Sequence, residues 1–143
     1  MKRNLIGILS LVVMSVMINT TANAQALAKA DVPFAFKVGS AQLPAGTYEI
    51  KAANSNAVLI QNRMTSAAAA SVIQHEYPRN TGAKLVFHRV AGQYFLAEIW
   101  RGSGSSGMLL PASKQEKNLR KELQAANGPS NASEDVMIAL ALD

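Results

Sequence analysis

Ala83–Arg101, AKLVFHRVAGQYFLAEIWR, decides the fold. Two runs rich in aromatic and β-branched residues flank Ala91-Gly92, and glycine tolerates the positive φ that a two-residue hairpin loop needs. Pairing the runs about that turn sets Val90 opposite Gln93, His88 opposite Phe95, Val86 opposite Ala97 and Lys84 opposite Ile99. The other face then carries Leu85, Phe87, Arg89, Tyr94, Leu96, Glu98 and Trp100. Both faces hold large apolar side chains, so the hairpin belongs in the middle of a small β-domain, covered on both sides.

Working upstream, Val32–Gly39 alternates, with Val32, Phe34, Phe36 and Val38 on one side, and reads as a half-buried strand starting at an edge because Pro33 lacks an amide proton. Leu43-Pro44-Ala45-Gly46 is turn chemistry. Thr47–Ala52 follows as a strand with Tyr48 and Ile50 inward, and Ala57–Arg63 as another after the polar turn Asn54-Ser55-Asn56. The four alanines at 67–70 favour helix by propensity, but they continue into Ser71-Val72-Ile73-Gln74-His75, so a strand over about Ala68–Glu76 is expected.

Downstream, Gly102–Gly107 is a flexible connection. Ser113-Lys114-Gln115-Glu116 fits a capping box, in which Glu116 reaches back to the cap, and opens a helix over about 114–126 that stops at Asn127-Gly128-Pro129. Its apolar content is thin, so it can cover a sheet without forming a core. Residues 128–143 form a tail whose apolar stretch Val136–Leu142 is either a final strand or an exposed sticky end. The fold class is therefore mainly β, an antiparallel sandwich or partly open barrel of about 6–7 strands with one C-terminal helix, spanning residues 32–127.

The amino terminus has the plan of a signal peptide. Lys2 and Arg3 precede a short apolar run, and Ala22-Asn23-Ala24 fits the small-x-small cleavage rule, so residues 1–24 are expected to be removed and 25–31 to be a flexible lead-in. The run of about 14 residues falls short of the roughly 20 that span a bilayer. No second long apolar segment follows, so no transmembrane segment is expected after cleavage. The expected location is periplasmic or extracellular. Of 14 basic and 9 acidic residues, Lys2 and Arg3 lie in the leader, leaving a net charge of +3, too little for a nucleic-acid-binding face. The chain has no cysteine, so packing alone must hold it, and thiol nucleophiles, thiolate metal sites and redox chemistry are excluded.

Candidate functional residues are few: His88, Glu98 and Arg89. A histidine on a hairpin face, a carboxylate among apolar neighbours and an arginine on the carboxylate's own face are what a raised-pKa acid or a small ligand site would use. No catalytic constellation, metal site or cofactor is assigned. His75 and Glu76 are neighbours on opposite strand faces, short of three converging metal ligands. No serine sits in G-x-S-x-G, and the glycine-rich stretch lacks the Lys-Ser/Thr end of a phosphate loop.

Val32-Pro33-Phe34-Ala35-Phe36-Lys37-Val38-Gly39, Leu43–Tyr48, Leu85–Arg89, Tyr94–Trp100 and Leu110–Ser113 together resemble a group of small exported proteins of unknown function frequent in acidobacterial genomes. The resemblance covers most of residues 32–126 and implies a shared fold and export; it carries no catalytic residues across. The function expected is an exported, non-enzymatic binding or structural module of the cell envelope with an envelope ligand or protein as partner. The alternative is a small extracytoplasmic hydrolase using Glu98 or His88.

Overall fold

The computed structural model describes residues 26–128 and 133–142; the signal-peptide expectation falls on residues outside these. Two antiparallel-rich sheets face each other across one core. The first has the order β1 (Ala26–Val32), β4 (Gly46–Asn54), β5 (Ala57–Gln61), β6 (Ala68–Val72). The second has the order β11 (Glu134–Ala139), β8 (Ala83–Val90), β9 (Gln93–Arg101), β10 (Gly107–Leu109), β7 (Gln74–Glu76). A short hairpin, β2 (Phe36–Val38) and β3 (Ala41–Leu43), joins the second sheet where Lys37 of β2 runs parallel to Phe95 of β9.

The sheets meet at two corners. Lys29 of β1 and Ala141 exchange both backbone hydrogen bonds, at 2.8 and 2.9 Å. At the far corner the chain steps from β6 to β7 through Ile73, whose amide donates to the Asn56 carbonyl at 2.9 Å. A flattened, nearly closed sandwich results, as the mainly-β expectation required. It is built from eleven mostly short strands among the described residues, more than the 6–7 expected.

Between the sheets, Phe36 packs edge-on against Tyr48 and Phe87, with ring centroids 5.0 and 5.3 Å apart. Val32, Ile50, Val58, Ile60, Leu85, Leu96 and Ile99 fill the rest of this core. Burial of such side chains contributes roughly 1.5–3 kcal/mol each, which is how a cysteine-free domain of this size holds together. The Tyr48 hydroxyl donates to the Pro44 carbonyl at 2.6 Å, tying the β3–β4 turn to the core.

The hairpin turn is as the sequence implies: Ala91 and Gly92 both take positive φ, 50° and 74°, and Val90 faces Gln93. The helix α1 (Lys114–Asn127) starts at a Ser113 cap whose hydroxyl accepts from the Glu116 amide at 3.1 Å. It ends where the Gly128 amide donates to the Gln124 carbonyl.

Five stretches depart from the sequence reading. The single strand expected over Ala68–Glu76 is two, because the chain crosses at Ile73 from the first sheet to the second. The connection expected over Gly102–Gly107 ends in strand β10, whose Gly107 pairs with Glu76 of β7. The flexible lead-in is strand β1: its alanines are required by packing, since Ala28 and Ala30 lie buried beside Ile50 and Tyr48, where larger side chains would not fit. The single strand over 32–39 is two, because the chain turns at Pro33–Ala35 from the first sheet to the second. The tail belongs to the fold. Its strand runs Glu134–Ala139 rather than 136–142, and Val136, Ile138 and Leu140 pack against the core while Met137 faces outward.

Candidate functional site

The residues with chemical potential gather on the outer face of the β8–β9 hairpin, under and beside α1. Their grouping depends on one irregularity. His88 pairs with Phe95 and Phe87 with Leu96, but the next pair is Val86 with Glu98, so Ala97 is an extra residue in β9. This bulge turns everything beyond it to the opposite face. The Ala97 carbonyl, displaced from the ladder to β8, accepts from the Leu110 amide at 2.8 Å. The expected pairs Val86–Ala97 and Lys84–Ile99 are thereby replaced by Val86–Glu98 and Lys84–Trp100.

Glu98 and Trp100 consequently share the outer face with His88, Val86 and Val90, and Glu98 does not sit among Leu85, Phe87 and Leu96. The Trp100 indole N–H donates to Glu98 Oε2 at 2.6 Å. The ring is buried, lies against Gly107 of β10 and is capped by the Arg79 guanidinium 5.2 Å from its centroid. Arg89 stays on the other face beside Tyr94 and pairs with Glu134 at 3.4 Å. The three candidates therefore do not converge: His88 and Glu98 share a face, Arg89 does not.

What does converge on His88 comes from elsewhere in the chain. Glu116 and Arg120, one turn apart on α1, both reach the imidazole: Glu116 Oε1 lies 2.9 Å and Arg120 Nη2 2.6 Å from Nδ1. Arg120 also donates to Glu116 Oε1 at 2.7 Å. On the other side, Asp135 of β11 sits opposite His88 in the ladder, with Oδ1 3.8 Å from Nε2. The imidazole thus links helix, central hairpin and last strand. Nδ1 stands between a donor and an acceptor, so the ring tautomer decides which of the two bonds is made.

Glu116 is only 3 % exposed. Burial pushes its carboxyl pKa up, but hydrogen bonds from His88 and Arg120, reinforced by the Arg120 charge, outweigh this and hold it below the usual carboxylate range. Its carboxylate therefore does not reach back to the helix cap, as the capping-box reading expected; only the Ser113 half of that motif forms. Chemically this is a latch. A carboxylate kept ionised, closed from water and bonded to a guanidinium is a poor general acid, and the imidazole has acidic partners near both of its nitrogens.

Glu116, Arg120 and Asp135 are not among the candidate functional residues of the sequence, where Glu116 figures only as a helix-cap residue. The i, i+4 spacing of Glu116 and Arg120 is a legible pair signal, but nothing local indicates that the pair meets a histidine 28 residues upstream. A second charged group lies on the outer face of the first sheet, where Glu49 contacts Lys51 at 3.2 Å and Arg63 at 3.3 Å. Partial burial raises the Glu49 pKa, but the bonds and charges of Lys51 and Arg63 win and hold it low. His75 Nε2 meets the Ser55 carbonyl at 2.8 Å, and Glu76 pairs with Arg79.

Among the described residues no three His, Asp or Glu side chains are placed to hold a metal ion. No helix among them is long and apolar enough to cross a membrane. No family model, curated protein or solved structure matches the chain.

Proposed function

We propose that the protein is an exported, non-enzymatic binding or structural module of the cell envelope. The observation that carries this reading is the state of its best acid–base candidates. Glu116 is sealed and ion-paired, His88 Nδ1 is engaged by Glu116 or by Arg120 according to its tautomer, and Glu98 is spent on the Trp100 indole. Groups engaged this way stabilise a scaffold, and a rigid scaffold with surface clefts suits recognition. Export is supported by the plan of residues 1–24, and by the likeness of residues 32–126 to small exported acidobacterial proteins.

The test is a thermal-shift screen of the purified protein against cell-wall fragments, oligosaccharides, lipids, short peptides and divalent metals. A ligand present at about a hundred times its Kd stabilises by roughly 2.7 kcal/mol, a shift of several degrees. A specific shift is expected. Turnover of a chromogenic ester or glycoside that Glu98→Gln abolishes without unfolding the protein would overturn the reading in favour of a hydrolase.

A further inference from the structure

We infer that the cleft between β2, β3 and the β8–β9 turn binds a small carboxylate-bearing ligand, a hydroxy acid or an acidic sugar unit, through the Lys37 ammonium. This deepens the binding-module reading and rests on it. The cleft has a volume of about 270 Å³ and is lined by Phe36, Lys37, Gln42, Gln93 and Tyr94 among others. That is just below the roughly 300–1,000 Å³ typical of drug-sized ligands, so it suits something the size of one sugar ring.

The polar groups there are donors in excess. Lys37 Nζ donates to Gln93 Oε1 at 2.7 Å and to Gln115 Oε1 at 2.8 Å, and lies 5.7 Å from the Phe95 ring centroid. All three partners are neutral, and no carboxylate among the described residues lies within ion-pair distance of this half-buried ammonium. Four arginines of the fold are matched by carboxylates, Arg63 by Glu49, Arg79 by Glu76, Arg89 by Glu134 and Arg120 by Glu116, whereas Lys37 has only neutral partners although it lines a cleft.

Gln93 Oε1 also accepts from Gln115 at 3.4 Å, which fixes the amide orientation and leaves its N–H groups without an acceptor among the described residues. An ammonium and an amide N–H pair call for an acceptor with one negative charge. A phosphate dianion would want a second cation or a guanidinium fork, which the cleft lining does not offer. Phe34 stacks on Tyr94 at 3.9 Å and 16°, which holds this residue of the cleft lining in place. The positions are preset, because Lys37 is paired to Phe95 across the parallel contact and Gln93 is the first residue after the turn.

The experiment is an amide-shift titration of the purified protein with galacturonate, lactate and galactose, followed at Lys37, Gly92 and Gln93. Saturable shifts with millimolar Kd are expected from at least one acid and none from neutral galactose. Galacturonate alone would identify an acidic sugar; both acids, the carboxylate in general. Lys37→Met keeps the stem over Phe95 and should weaken binding at least tenfold. Gln93→Leu should do the same without removing charge, and Lys114→Met, on the helix surface, should not. Absence of saturable shifts with both acids, or undiminished affinity in Lys37→Met, overturns the site. If the thermal-shift screen still finds another ligand in that case, the binding-module reading survives the loss of this one.

Discussion

Glu116 Oε1 lies 2.9 Å from His88 Nδ1, and this contact joins a helix to the centre of a sheet across 28 residues of sequence. Because Arg120 grips the same carboxylate oxygen, the contact is part of a three-residue latch. It gives a helix with little apolar surface a specific seat on the hairpin. Hydrogen bonds to charged groups contribute about 1.5–3 kcal/mol each, comparable with the few leucines such a helix can bury.

The latch has a pH signature. The folded Glu116 carboxyl lies below its ordinary value, so its contribution is complete above the unfolded pKa of about 4.3 and disappears as pH falls through the lower folded value. The stability difference between the parent protein and Glu116→Gln should therefore be present at pH 5 and shrink below about pH 4, measured by urea denaturation at each pH.

Ala91 pays for a left-handed conformation that glycine or asparagine adopts more easily, with φ at 50° in the hairpin turn. Ala91→Asn creates the Asn-Gly pair preferred in such turns and should stabilise the protein by about 0.5–1 kcal/mol. Chemical denaturation reads this directly, and a loss of stability would show that the turn is not of this type.

Gly107 lies flat beneath the Trp100 ring. A Cβ there would stand 2.5 Å from the ring's Cη2, so Gly107→Ala must push the indole aside. The expected cost is about 1–3 kcal/mol. Trp100 is buried, so its emission in the parent protein should be blue-shifted and shielded from iodide, and in Gly107→Ala it should move to the red.

Glu98 serves Trp100 as a hydrogen-bond acceptor, and an amide oxygen can do the same. Glu98→Gln should fold with a loss under about 1 kcal/mol, while Glu98→Ala, which leaves the buried indole N–H without a partner, should lose about 1–3 kcal/mol. Equal losses would mean that the carboxylate's charge, not its acceptor role, is what matters.

The central hairpin, its turn, its burial on both faces and the helix boundaries were all legible, because periodicity and caps are local signals. The bulge was not: Ala97 sits in an unbroken run of strand-forming residues, and a small side chain leaves no trace of a two-to-one pairing. That single residue decided whether Glu98 and Trp100 lay with His88 or against Phe87. Strand β1 was hidden for a related reason, since Ala28 and Ala30 are small where Ile50 and Tyr48 need room, and small residues read as featureless. His88 and Glu98 were identified from sequence, but their partners Glu116, Arg120 and Asp135 were reachable only through tertiary contact.

The claim that His88, Glu116 and Arg120 seat the helix, and do not form a reactive centre, is tested most directly by hydrogen exchange of Glu116→Gln at neutral pH. The account predicts faster exchange of the α1 amides by several-fold or more, with β4, β5, β8 and β9 still protected, because only the helix loses its anchor. Unchanged α1 protection would contradict it and return Glu116 and His88 to the list of groups available for chemistry.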